Sequence, residues 1–143
     1  MAIHATRRAA VEQGDTAIVF GAGTVGLLTA AMAKMSGATR VVIVDVDHGR
    51  IEYALSNSFA HKGFVVPSRK NAGETAGQFG SAKELAGDVM QVASLDDAEF
   101  EGADITFDCT GKELCMQAGL FVSTVFVRNQ SASDREPGNK TRW

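Results

Sequence analysis

The stretch from Ala17 to Lys34, AIVFGAGTVGLLTAAMAK, sets Gly21, Gly23 and Gly26 between an apolar run and a segment with helical spacing. Thr16 to Phe20 is a short β-branched and aromatic run of the kind a buried parallel strand requires. From Thr24 the apolar residues Val25, Leu27, Leu28, Ala31, Met32 and Met35 follow helical spacing, and Ser36-Gly37 supplies a stop. A G-x-G-x-x-G turn in this setting has a mechanical reading. The first glycine permits a tight turn, the second lets a pyrophosphate approach the backbone, and the third lets helix and strand pack closely. The helix N-terminus then faces the phosphates with free N–H groups and the positive end of its dipole. Alone the motif is weak, because a chain with 15 glycines can produce it as a purely structural turn.

The surroundings strengthen it. RVVIVD, Arg40 to Asp45, reads as a second apolar strand, and its terminal acid stands 19 positions after Gly26. At that place a carboxylate accepts hydrogen bonds from the ribose hydroxyls and repels a 2′-phosphate, which favours NAD over NADP. A helix-capping role competes for Asp45. Arg50 has three readings: a lid on adenine or ribose, an exposed helical cation, or a charge partner of Asp45 and Asp47.

Beyond the first βαβ unit, Asp47 is placed to cap a helix carrying Ile51, Ala54, Leu55 and Phe59. Phe64 to Val66 reads as a third strand stopped by Pro67, and residues 68–80 as a polar, glycine-rich loop. Ser81 and Glu84 have capping-box spacing ahead of a helix with Leu85, Val89 and Val92 on one stripe. ADITFDCTG is a fourth strand with Ile105, Phe107 and Cys109 on one face, and KELCMQAGL resumes as a short helix. LFVSTVFV, residues 120–127, is a candidate fifth strand, and residues 128–143 have almost nothing to bury and read as a disordered tail. Alternating strands and helices predict an α/β fold, a Rossmann-type parallel sheet with helices on both faces. The predicted layout is a docking helix and turn over residues 1–14, a nucleotide-binding domain over 15–127 and the tail over 128–143.

At 143 residues, one domain with a core is the expectation. A net charge of −3 gives no electrostatic reason to expect nucleic acid or an anionic membrane, and no segment approaches a membrane span. MAIHATRRAAVEQGD is too polar for a secretion signal; a faint transit-peptide character competes with a docking helix, and a cytoplasmic setting is the default. Cys109 and Cys115 form no CxxC pair, and each reads as a core residue in a reducing compartment. His4, His48 and His61 lack metal-ligand spacing and read as ordinary helix or loop residues, and Asp96-Asp97 as solvated turn acids. The sequence thus offers no catalytic residue and no metal site of its own. Cys109-Thr110-Gly111 falls at the same carboxyl edge of the sheet as the glycine turn, where ligand contacts are expected. An S-adenosylmethionine methyltransferase also uses a glycine-rich turn and an acid after the second strand, but the glycine spacing here is that of a dinucleotide site.

GDTAIVFGAGTVGLLTAAMAKMSGATRVVIVDVDHGRIEYA followed by ADITFDCTGKELCMQAG resembles the coenzyme-binding domain of zinc-dependent medium-chain dehydrogenases, in the sorbitol, xylitol and arabinitol branch. The resemblance runs from about His4 to Leu120. It implies pyrophosphate contacts on the Gly23 to Gly26 turn, with Thr24 and Val25 offering N–H groups, ribose contacts on Asp45 with Arg50 alongside, and further contacts on Cys109 and Thr110. Ala22 and Val46, beside these, complete the candidate cofactor-binding set. It also implies a catalytic zinc held by a separate domain with no counterpart in this chain. The match breaks near Phe121 and Val122, where the family continues with two more strands that often form a subunit interface. The expectation is therefore an incomplete domain with its last strands missing, apolar surface uncovered, and no catalysis by the chain alone.

Overall fold

Two five- and six-residue apolar runs, with no charge until their last or first position, become the centre of the sheet. They are β1 (Thr16–Phe20) and β2 (Arg40–Asp45), and every residue from Thr16 to Phe20 and from Val41 to Asp45 is buried. The structure is a computed structural model and describes residues 1–67, 78–95 and 100–123. Within them the chain runs α1 (Ala2–Ala9), β1, α2 (Thr24–Met35), β2, α3 (His48–Ser56), β3 (Lys62–Val65), α4 (Gln78–Ser94), β4 (Ile105–Asp108) and α5 (Glu113–Val122). The four strands pair in the order β3-β2-β1-β4, all parallel, with Val19 opposite Ile43 on one side and Phe107 on the other.

The parallel ladder leaves two apolar faces to cover. Ala17, Val19, Val41, Ile43, Ile105 and Phe107 meet Ala30 and Ala33 of α2 and Ile51 and Ala54 of α3. Ile18, Phe20, Val42 and Val44 meet Leu85, Ala86 and Val89 of α4 and Ala118 and Val122 of α5. This is the Rossmann-type arrangement, with α1 packed outside α2. Among the described residues no helix is long and apolar enough to cross a membrane.

Several local expectations shift. In α2 the buried face is Gly26, Thr29, Ala30 and Ala33, whereas Val25, Leu28 and Met35 are exposed, because small residues let the helix lie close to the sheet. Phe59 lies beyond the end of α3, yet it packs against the core and stacks on Tyr53 at 6.1 Å. β3 occupies Lys62–Val65 and not Phe64 to Val66, since the backbone ladder with β2 starts by pairing Lys62 with Val42.

α4 begins at Gln78, so residues 78–80 are helical and Ser81 lies inside the helix instead of capping it; Ala93, not Val92, is its last buried contact. Leu120 to Val122 continue α5 because Ala118 and Val122 share its buried face, and Ser123 turns extended to bridge Ala103 in parallel. The loop expected over 68–77, Asp96-Asp97, the rest of the candidate fifth strand and the tail over 128–143 lie outside the described residues.

Candidate functional site

Because β1 connects to β2 on one side and β4 pairs with β1 on the other, the sheet's topological switch point falls at the carboxyl end of β1. The three glycines occupy that end. Gly21 has φ +100°, a left-handed conformation that a side chain strains, and its N–H donates to Val44 O at 2.7 Å. Gly23 caps α2 with no side chain, and a Cβ there would meet nothing within 4 Å, so its surface is open to a ligand. Gly26 is the opposite case: a Cβ would stand 1.7 Å from Gly21 O. Each glycine thus has the geometry its place in the motif requires. The first-turn N–H groups of α2, including those of Thr24 and Val25, have no acceptor within the helix and stand at the positive end of its dipole.

Asp45 closes this turn from the second strand. It is buried, and its Oδ2 accepts from Ala22 N–H at 2.6 Å while Oδ1 accepts from Asp47 N–H at 2.9 Å. Two of about four lone-pair sites are therefore taken by backbone donors. Asp45 is not the helix cap; Asp47 is, accepting from Arg50 N–H at 3.1 Å. Arg50 Nη1 stands 4.0 Å from Asp45 Oδ2 on a mostly exposed side chain, a weak contact that suits a charge partner. Val46, next to Asp45, is exposed.

From β4, Cys109 N–H donates to Phe20 O at 2.8 Å, which brings the following loop over the glycine turn. A Cβ on Gly21 would lie 3.0 Å from the Thr110 methyl and 3.2 Å from Cys109 O, and one on Gly26 would lie 3.7 Å from Cys109 Cβ. Burial pushes the Cys109 thiol pKa up; a long contact to Thr29 Oγ1 at 3.9 Å opposes this, and the nearby Asp108 adds to it. The half-buried thiol is thereby held toward its neutral form. The glycine turn, Asp45, Arg50, Cys109 and Thr110 are thus brought together at one sheet edge.

Three contacts were not legible in the sequence. Thr16 N–H donates to Asp104 Oδ2 at 2.9 Å across 88 positions, Asp108 holds Thr110, and His61 Nδ1 accepts from Val41 N–H at 2.9 Å. His61 stands in the loop between α3 and β3, as expected, and this bond adds a tie to β2. No group of three or more His, Cys, Asp or Glu side chains among the described residues is arranged to hold a metal ion.

Sheet order, helix placement and glycine turn together define a dinucleotide-fold domain of the Rossmann type. By sequence the chain is similar to D-xylulose reductases, and by fold to alcohol and zinc-binding dehydrogenases. It is 33% identical over 122 residues to D-xylulose reductase A of Aspergillus oryzae, an alignment covering 85% of this chain. The chain spans only about 30% of that relative's length. L-idonate 5-dehydrogenase of Escherichia coli superposes with a TM-score of 0.58 at 22% identity, over 85% of this chain and 29% of that one. A Sinorhizobium meliloti protein described as a zinc-binding dehydrogenase, solved with NADP bound, superposes with a TM-score of 0.59 at 21% identity, over 85% and 32%. At those identities the two structures speak for the fold alone. No protein-family model matches the chain.

Proposed function

We propose that this chain binds NAD(H) at the β1–α2 turn and is the coenzyme-binding part of a polyol dehydrogenase, an oxidoreductase moving hydride between a secondary alcohol and nicotinamide. The observation that carries the reading is the joining of the glycine turn to the buried Asp45 carboxylate by the 2.6 Å bond from Ala22 N–H. The N–H groups from Gly23 to Gly26 would receive the pyrophosphate, and Asp45, with Val46 and Arg50 beside it, would receive the adenosine ribose. Cys109 and Thr110 would bound the site from β4. The bound nicotinamide supplies the hydride acceptor.

The carboxylate of Asp45 disfavours a 2′-phosphate, so NAD is assigned here even though the S. meliloti neighbour holds NADP. Zinc is part of the relatives' chemistry by resemblance. The described residues offer it no ligand set, so no step is assigned to it here. In the same reading residues 1–14 dock against the domain, 15–127 form it and 128–143 are a tail; the setting is cytosolic, and association into an oligomer is a property of the whole enzyme.

Titration with NADH, followed by nicotinamide fluorescence, tests the proposal. Saturable binding is expected, at least about tenfold tighter than NADPH, the scale of one unfavourable charge contact. Competition by ADP-ribose and not by S-adenosylmethionine is expected as well. Asp45→Asn, which keeps an acceptor for Ala22 but removes the charge, should narrow the preference. No saturation at millimolar NADH, or a preference for S-adenosylmethionine, overturns the reading.

A further inference from the structure

The loop after β4 is held by a small, closed set of bonds. Asp108 Oδ1 accepts from Thr110 Oγ1–H at 2.6 Å and from Thr110 N–H at 2.9 Å. Thr110 Oγ1 in turn accepts from Lys112 N–H at 3.0 Å. A threonine hydroxyl has one proton to donate, and here it is spent on Asp108. The side chain's other substituent, the methyl, lies against Gly21, where an added Cβ would stand 3.0 Å away. Gly21 O is itself the atom that excludes a side chain at Gly26, at 1.7 Å. A continuous contact therefore runs from Asp108 through Thr110 and Gly21 to the first turn of α2.

We infer that Asp108 and Thr110 are positioning residues that buttress the glycine turn across the switch point, Thr110 through its methyl, and that the Thr110 hydroxyl does not contact the coenzyme. This rests on the coenzyme site proposed above and refines it, since it takes Thr110 out of the direct ligand contacts. Threonine suits the task because it alone joins both functions: the hydroxyl locks the loop and the methyl bears on the turn. The turn aligns the N–H groups that would meet a pyrophosphate, so loosening the buttress affects phosphate-bearing ligands most.

Two measurements on Asp108→Ala, Asp108→Asn, Thr110→Val and Thr110→Ser test this. The first is amide hydrogen exchange of residues 21–26 in the ligand-free protein, and the second is the affinity for ADP and for adenosine by calorimetry. Asp108→Ala and Thr110→Val should each speed exchange in the turn and weaken ADP about three- to tenfold, the scale of one net hydrogen bond, with adenosine changed by less than about twofold. Asp108→Asn retains the accepting oxygen and should match the wild type. Thr110→Ser, which loses the methyl, should speed exchange. Asp108→Ala combined with Thr110→Val should be no worse than either alone, because the pair acts as a unit.

Loss of affinity in Thr110→Val with unchanged exchange and an unaffected Asp108→Ala overturns the inference, as it would place the hydroxyl on the ligand. Equal losses for ADP and adenosine overturn it too. If the wild type binds neither ADP nor NADH, the coenzyme reading fails, and the exchange results still decide whether the buttress exists.

Discussion

Gly26 and Gly87 are both helical glycines, and the structure assigns them opposite roles. A methyl at Gly26 would collide with Gly21 O, whereas one at Gly87 in α4 would meet nothing within 4 Å. Helix propensity alone favours alanine over glycine by about 1 kcal/mol at either position. At Gly26 the collision outweighs that gain, because the obstructing atom is backbone and overpacking costs about 1–3 kcal/mol or more. Gly26→Ala is therefore expected to lower the melting temperature in circular dichroism, and Gly87→Ala to raise it slightly. A Gly26→Ala protein as stable as the wild type would refute the packing account. The role of Gly26 was legible in the sequence because a steric rule at fixed spacing defines it. The Asp45 bond to Ala22 N–H was not, since which oxygen meets which amide depends on how β2 is seated beside β1.

At the level of elements, β1 and β2 were legible to the residue because an uninterrupted apolar run fits only the middle of a parallel sheet. The edge strand β3 was not: its four residues are all half-buried, and its pairing is set by the backbone and by His61. His61 N–H donates to Val41 O at 2.9 Å, and His61 Nδ1 accepts from Val41 N–H at the same distance. The ring thus extends the ladder by one step, and only with Nδ1 unprotonated. Burial first, then the charges of Lys34 and Arg40, lower the His61 pKa below its ordinary value.

The unfolded chain therefore binds a proton more readily than the native one as pH falls from about 6.5. The stability that His61 contributes is full above that pH and is lost as pH drops through the lowered native value. Melting curves across pH 7.5 to 5 should show this decline. His61→Asn, whose amide oxygen accepts from Val41 without titrating, should make the decline shallower. Parallel pH profiles for the two proteins would remove His61 from the account. The same dependence on tertiary packing explains why the helix α5 runs on to Val122: Ala118 and Val122 share its buried face.

Across the whole molecule, the alternation of strands and helices made the parallel sheet legible, and the connections at the switch point placed the site. The resemblance led to an expectation of uncovered apolar surface, but not to the side chains that carry it. On α5 the side chains of Leu114, Met116, Leu120 and Phe121 are all exposed, Leu120 at 52% and Phe121 at 48%. Ala118 and Val122 of the same helix face the core, and Met116 and Leu120, four positions apart, adjoin on the surface turned away from them. Isolated exposed apolar residues are ordinary, but a cluster of them on one short helix promotes association. A net charge of −3 supplies little repulsion to oppose it.

The chain is therefore expected to self-associate as its concentration rises, giving a sedimentation coefficient that increases along a dilution series read in reverse. Leu120→Lys combined with Phe121→Glu should hold it closer to the monomer. These substitutions leave the buried face of α5, and so the packing beneath β1 and β4, in place, and they are distant in sequence from the glycine turn and Asp45. NADH affinity should then be unchanged while association falls. If the double variant associates as strongly as the parent, the outer face of α5 is not the surface responsible, and the exposed Leu28 and Met35 of α2 become the next pair to charge.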